Sequence, residues 1–250
     1  MELKRRKFQG VLNILSFNRH FYVFGGIAMV LLIASYWFFS WPAYLFWMVI
    51  AAFIYGLIMP LIVSAYVYDF SGYYRFDWLK QYPLQDGEDK LFLNINAGFD
   101  ETSFILHHHF PKANLRVFDF YNPQQHTEPA IIRARKVSMV YPGTQEIKTD
   151  TIPLPDQSVD VIFLLSAAHE IRNQEEKIQF LQECHRLCKP GGQVIMVEHL
   201  RDFPNFLAFT VGFTHFFSRN TWKRAYTAAG FSGIEVTKFT PFMSVFNCKP

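Results

Sequence analysis

The residues best equipped for chemistry gather at the ends of apolar runs. Ser166-Ala167-Ala168-His169-Glu170 follows Val159 to Leu165, and Glu198-His199 follows Gln193 to Val197. An imidazole titrates near pH 6.5, so His169 is suited to take a proton from a hydroxyl or an acidic carbon. Glu170 could orient that ring or bind a substrate, and Glu198 and His199 are further candidates of the same kind. A structural role for His169 competes with the catalytic one, and Arg172 reads as structural, paired with an acid on the helix that follows. Asp119 ends Leu115-Arg116-Val117-Phe118. An acid there can accept hydrogen bonds from both hydroxyls of a ribose, or simply be a solvated acid opening a loop. Upstream, Asn94-Ile95-Asn96-Ala97-Gly98-Phe99-Asp100-Glu101-Thr102-Ser103 joins a strand-like run to a helix-like one. Gly98 would let a ligand approach the backbone, and the helix start would receive its polar groups. An ordinary turn is the alternative.

These sites need a scaffold in which strands alternate with helices. Strands are expected at 91–95, 115–119, 137–141, 159–165, 193–197, 233–239 and 243–248, and helices at 102–109, 124–135, 174–187 and 220–229. The helix over 174–187 carries an inward stripe of Ile178, Leu181, Cys184 and Leu187, ended by Lys189-Pro190-Gly191-Gly192. The 159–165 run has the apolar character of a central parallel strand buried on both faces. This alternation predicts an α/β fold with a mostly parallel seven-stranded sheet covered on both sides. Ligands of such sheets sit beyond the carboxyl ends of the strands, where all four polar clusters fall.

The first 90 residues are different. The 48 residues from Phe21 to Tyr68 include no Asp, Glu, Lys, Arg or His. One helix of that length would measure about 72 Å, more than twice the roughly 30 Å hydrocarbon core of a bilayer. The run is therefore expected to fold back at Ser40-Trp41-Pro42 into two transmembrane helices, about 21–39 and 43–66. Trp37, Trp41 and Trp47 would mark one interface and Tyr66 and Tyr68 the other. Gly25, Gly26 and Gly56 would permit close helix approach, and Pro60 would kink the second span. Residues 1–19 carry a net charge of +4, including Lys4, Arg5, Arg6 and Lys7, against −1 for the rest. A basic lead of this kind predicts a cytoplasmic N-terminus, and two spans return the body to the same side, on the inner or cytoplasmic membrane if the source is bacterial. The expected organisation is a basic lead over 1–20, a transmembrane hairpin over 21–68, an amphipathic connector over 69–90 and a catalytic domain over 91–250. The hairpin could also serve oligomerisation.

Other function classes fit poorly. Charged residues are 18% of a chain that is 50% hydrophobic, which excludes a disordered protein. The body's balanced charge lacks the basic face of a nucleic-acid groove. Three cysteines suit a reducing compartment, with Cys184 and Cys188 as core residues. No metal site is expected, because His107-His108-His109 cannot all face one ion from a helix. A full GxGxxG turn is absent, which disfavours a nicotinamide oxidoreductase. The uncharged run Phe203 to Ser218, with its six Phe, reads either as a core helix or as an apolar lid for a lipid-like substrate.

Taken together, Ile152-Pro153-Leu154-Pro155-Asp156-Gln157-Ser158-Val159-Asp160 and Leu187-Cys188-Lys189-Pro190-Gly191-Gly192-Gln193-Val194 resemble the class I S-adenosylmethionine-dependent methyltransferases, especially those acting on quinone- and sterol-like lipids. The resemblance covers about residues 75–250. It implies a Rossmann-like methyltransferase fold and S-adenosylmethionine as cofactor, held by Asn94, Asn96, Gly98, Asp100 and Glu101 of the first loop, Asp119 and Phe120 of the second, and Ser166. It implies methyl transfer to a hydrophobic phenolic, quinone-like or hydroxylated lipid, with His169 as first choice of base. Asn94 replaces the family's usual acid, and Asn96, Gly98 and Asp100 replace its glycine run. Lys148, with Glu146 and Asp150 nearby, falls where an acid near the adenine is often found. The altered first loop also fits a second reading, an inactive membrane adaptor that kept the fold.

Overall fold

The computed structural model describes residues 5–250; Glu2 and Lys4 of the basic lead lie outside the described residues. Helix α1 (Gln9–Phe17) is followed by the two long apolar helices α2 (Arg19–Phe38) and α3 (Ala43–Ala65), joined by a short turn through Pro42. Both are long and apolar enough to cross a membrane, and only 6% and 17% of their most apolar windows are buried. The two helices are antiparallel and are candidate membrane spans. Of their glycines, only Gly25 makes the expected close approach: a Cβ there would lie 2.8 Å from the Leu57 side chain, whereas Gly26 and Gly56 face open space. The lead folds back as α1, which the sequence reading did not foresee. The Asp69 carboxylate caps α1, accepting from Gly10 N at 2.7 Å and Val11 N at 3.0 Å.

The body alternates β1 (Leu91–Asn96), α4 (Ser103–His109), β2 (Asn114–Asp119), α5 (Pro129–Arg135), β3 (Gln145–Glu146), β4 (Val159–Leu165), α6 (Gln174–Leu187), β5 (Cys188–His199), α7 (Phe203–Phe209), α8 (Arg219–Ala228), β6 (Gly233–Lys238) and β7 (Met243–Lys249). The seven strands run in the order β3-β2-β1-β4-β5-β7-β6. Strands β1 to β5 are parallel, and β7 is antiparallel to both β5 and β6. Strand order reverses between β1 and β4, which opens a ligand crevice at their carboxyl ends.

Several boundaries differ from expectation. The third strand lies at 145–146 rather than 137–141, because Pro142-Gly143 turns the chain first (φ 79° at Gly143) and leaves Val137 and Val140 exposed. Helix α5 starts only at Pro129, whose fixed φ suits a first helical position, while 122–127 forms a loop closed by Asn122 N donating to His126 Nδ1. Lys189-Pro190-Gly191-Gly192 belongs to β5 as a bulge, where pairing jumps from Val159↔Cys188 to Val161↔Gln193. A Cβ at Gly192 would come within 2.9 Å of the Asp160 carbonyl oxygen, so glycine is needed there.

Each sheet face has its own core. On one, Leu93, Ile95, Ile162, Leu164, Val194 and Met196 meet Phe180, Leu181 and Leu187 of α6 and Trp222 and Tyr226 of α8. On the other, Phe92, Val161, Phe163, Ile195 and Val197 meet the foot of α3 and the connector residues Tyr73, Phe76, Trp78 and Leu79. The connector is therefore core rather than one amphipathic surface helix. Gly72 and Phe76 take left-handed backbone angles (φ 84° and 53°) that break it into short turns. All three cysteines are free and buried.

Lys177 of α6 is fully buried with its Nζ 3.2 Å from the Phe217 ring centroid and no hydrogen-bond partner. Burial, reinforced by Arg172, lowers its pKa to about 8. Below that pH the native state must bury an ammonium group, a cost that fades as pH rises from about 8 toward the unfolded value of 10.5. Lys177→Met is expected to raise the thermal midpoint by several degrees at pH 7, with the gap closing by pH 10; scanning calorimetry of both proteins at the two pH values checks this.

Candidate active site

Two groups of side chains meet the carboxyl edge of the sheet. The first surrounds a cavity of about 210 Å³ lined by Asn96, Gly98, Asp100, Asp119, Arg135 and Ser138, with Glu146 at its margin. Gly98 adopts φ 89°, and a Cβ on it would lie 2.9 Å from the Tyr121 ring. Asp100 caps α4 through Oδ1, accepting from Thr102 N and Ser103 N at 2.9 Å each, while its buried Oδ2 has no partner. Burial raises the Asp100 pKa, and the capping bonds oppose that rise. Asn96 is used on one side only: Oδ1 accepts from Gly98 N at 3.1 Å and the buried Nδ2 is unpartnered. Buried polar atoms are rarely left without partners. An acceptor and a donor open beside a glycine turn match the ammonium and carboxylate groups of an amino-acid moiety.

Asp119 ends β2 facing the same cavity. Its Oδ1 accepts from Tyr121 N at 2.8 Å and its Oδ2 from Arg135 Nη1 at 2.7 Å, with the guanidinium 4.4 Å from the Tyr121 ring centroid. Arg135 thus occupies one of the two Asp119 carboxylate oxygens. Sequence reading missed it, since nothing in 124–135 points an arginine back at β2.

Three residues assigned to the cofactor lie elsewhere. Asn94 is buried beneath the loop and donates to Thr102 Oγ1 at 3.0 Å and Ser103 Oγ at 2.8 Å, clipping β1 to α4. Glu101 turns to the N-terminal segment, where it meets Arg5 at 3.0 Å, Gln9 and Asn13 at 3.2 Å each, and the Tyr74 hydroxyl at 2.5 Å. The Phe120 ring packs into the core 5.5 Å from Phe180. Ser166 remains at the strand edge in a left-handed conformation (φ 55°), its Oγ 3.2 Å from the Tyr73 hydroxyl. Glu146 borders the cavity; Lys148 instead pairs with Thr151 in an isolated bridge.

The second group is built on the ends of β4 and β5. His169 Nδ1 lies 2.8 Å from Glu198 Oε2, and Glu198 Oε1 accepts from His169 N at 3.2 Å. Two bonds from one residue to a carboxylate that is 1% exposed fix the ring's orientation and leave Nε2 facing Glu170 Oε1 at 3.5 Å. Burial alone would lower the His169 pKa; the Glu198 and Glu170 charges outweigh it and raise it to about 10. The same imidazolium holds Glu170 down to about 2 against the pull of burial. The His215 ring stands 5.3 Å from that of His169, its pKa lowered to about 4, first by burial and then by the His169 charge. Donor atoms of His169, Glu170 and His215 all lie within 4.8 Å of one another, a cation-sized grouping that no sequence spacing announced.

Of the four expected catalytic residues, His199 separates from the rest. It follows Glu198 on a strand, so its side chain takes the opposite face. Nε2 meets the Tyr68 hydroxyl at 3.0 Å and Nδ1 meets Asn205 Oδ1 and the Phe242 carbonyl. Burial lowers its pKa to about 4, and with both nitrogens engaged it is a structural post. Arg172 pairs with no acid of α6; it donates to the His169 and His215 carbonyls at 3.2 and 2.7 Å, pinning the 210–217 segment over the site. His215 is the one titratable side chain in the uncharged run 203–218, and that was a signal available in the sequence.

Comparison with known proteins follows the same lines. Residues 105–196 match the family profile described as "Methyltransferase domain". Scoulerine-9-O-methyltransferase 3 of Papaver somniferum is 29% identical over a match covering 37% of this chain and 31% of that protein, so the chain spans about a third of the length of the curated relatives it matches. A solved Pyrococcus horikoshii protein superposes with a TM-score of 0.52 at 15% identity, covering 69% of this chain and 86% of its own. A candidate O-methyltransferase from Nostoc punctiforme gives 0.51 at 13% identity, over 79% and 60%. The body of this chain has the Rossmann-like methyltransferase fold, and its residues 105–196 carry the sequence pattern of a methyltransferase domain.

Proposed function

We propose that the chain is an S-adenosylmethionine-dependent methyltransferase, anchored by α2 and α3 in a membrane and acting on a hydroxyl of a hydrophobic, phenolic or quinone-like lipid. The observation that carries this reading is the carboxylate–imidazole dyad Glu198–His169 on the same sheet edge as a cavity with an acid at the end of β2 and two unpartnered buried polar atoms. The relative named for 9-O-methylation supports a hydroxyl acceptor. The two exposed apolar helices support anchoring, with Arg19 at their common end favouring the cytoplasmic side.

The cofactor, when bound, supplies an already activated methyl group. Asp100 and Asn96 would hold its amino-acid end and Asp119 its ribose. Glu198 keeps His169 Nδ1 as the donor, so that Nε2, beside Glu170 Oε1 at 3.5 Å, is the nitrogen left to receive the proton of an acceptor hydroxyl. With its pKa raised to about 10, His169 is matched to a phenol, whose own pKa lies near that of tyrosine. Proton transfer between them is then close to balanced, and the resulting imidazolium is stabilised by both carboxylates. The rest is alignment.

Arg135 competes with ribose for Asp119, so Arg135→Ala is expected to tighten S-adenosylhomocysteine binding several-fold; calorimetry reads it, and weaker binding would make Arg135 a cofactor contact instead. The same ion pair favours the second reading, an adaptor whose cofactor site stays latched; in that case the unaltered chain does not bind. Transfer of labelled methyl from S-adenosylmethionine to long-chain alkylphenols in vesicles tests the whole proposal. Incorporation abolished by His169→Ala is expected, and no incorporation into any phenol or quinol by cofactor-loaded protein would refute it.

A further inference from the structure

The hairpin and the active-site roof are one surface. Tyr55, in the middle of α3, donates its hydroxyl to the Leu207 carbonyl of α7 at 2.7 Å. Helix α7 and the turn Thr210–His215 leave Phe203, Phe206, Leu207 and Val211 exposed, next to the exposed Ile54, Ile58 and Ile62 of α3. No acid, lysine or arginine occurs from Phe203 to Ser218. The inner side of this roof meets the site at His215, whose ring faces that of His169 at 5.3 Å, while Phe209 and Phe216 seat the roof on the structural His199 at 5.2 and 4.9 Å.

The two apolar helices give the roof a depth. Gly25 lies against Leu57, and Tyr36 lies 4.5 Å from Phe46, ring to ring. Both contacts fit one antiparallel register, which brings Arg19 level with about Val63. Arg19 and His20 are the charged end of the hairpin, so the hydrocarbon begins near Val63 on α3. Tyr55 is eight residues further in, about 12 Å along the helix axis, well inside a leaflet about 15 Å deep. Whatever surrounds α3 at Tyr55 surrounds α7 as well. The charged residues at the root of α7, with Lys238 paired to Asp202 at 2.6 Å, are where an interface would place them.

We propose that Phe203–His215 is seated among the acyl chains of the leaflet on the Arg19 side and forms a lateral gate through which a bilayer-dissolved acceptor reaches His169. This rests on the membrane reading above and adds to it. The acceptor need not leave the bilayer, and the exposed Phe203, Phe206 and Val211 cost nothing because they face lipid.

Spin labelling in phosphatidylcholine–phosphatidylglycerol vesicles tests the proposal on the full chain. The native cysteines are buried, so labels placed by Val211→Cys, Val30→Cys and Gln124→Cys report separately on gate, span and water-facing body. With no water in the hydrocarbon, the oxygen-to-nickel-chelate accessibility ratio at positions 211 and 30 is expected to exceed that at 124 by about fivefold or more. Phe203→Cys repeats the gate measurement if the Val211 variant does not fold. A lipid signal at 30 with a water signal at the gate overturns the gate and leaves anchoring intact. Water signals at both overturn the anchoring reading and the gate with it.

Discussion

His169→Ala is expected to slow methyl transfer about a thousand-fold, the usual worth of a positioned general base, while S-adenosylhomocysteine affinity changes by less than about threefold because His169 does not line the cofactor cavity. The pH dependence is more diagnostic than the loss. Productive transfer needs one proton fewer than the resting site holds. The rate therefore climbs about tenfold per pH unit through neutrality and levels as pH approaches about 10, the value to which Glu198 and Glu170 raise His169 against the effect of burial. Glu198→Gln removes one of those charges and the fixed tautomer, so the inflection moves down and the plateau falls. A merely structural Glu198 would leave the inflection where it was. Stopped-time assays with labelled methyl donor from pH 6 to 10, on wild type and both variants, separate the possibilities.

Asp119→Ala is expected to weaken S-adenosylhomocysteine binding about a hundred-fold or more. Two hydrogen bonds from ribose hydroxyls to a carboxylate contribute roughly 1.5–3 kcal/mol each, and about 3 kcal/mol in total already corresponds to a factor of about 100. Losing the partner of Arg135 offsets little, because that guanidinium is about a third exposed and finds water readily. Asp119→Asn, which keeps the shape and one acceptor, should fall between the two proteins.

Much of this architecture is legible in the residues, for reasons that vary along the chain. Strands such as 159–165 and helices such as 174–187 declare themselves because their period is set by burial alone. The 21–68 run declares its reversal because its length exceeds any bilayer. Polar residues at strand ends follow from parallel topology, so the position of Asp119, Asp100, His169 and Glu198 at the carboxyl edge of the sheet is legible without coordinates. What stayed hidden depends on direction and distance. Asn94 and Asn96 sit two apart on β1, yet one clips α4 and the other faces the cavity. Glu198 and His199 are neighbours in sequence and opposites in space. Glu101 is claimed by Gln9 and Asn13 of the N-terminal helix, 92 and 88 residues away, a contact no local pattern encodes. Arg135 on Asp119 and the seating of α7 on Tyr55 are likewise tertiary facts. The shift of the third strand has a local cause, the Pro142-Gly143 turn that directly follows the apolar pentapeptide 137–141.

We propose that the cavity between Asn96 and Asp119 binds the methyl donor. Calorimetric titration of the detergent-solubilised full chain with S-adenosylhomocysteine tests it most directly, with Asp119→Ala alongside. Micromolar binding at one site per chain, abolished or reduced about a hundred-fold in the variant, is the predicted result. Folded protein that binds neither S-adenosylhomocysteine nor S-adenosylmethionine, even after Arg135→Ala has freed the Asp119 carboxylate, would rule out this cofactor site and leave a methyltransferase fold used for something other than methyl transfer.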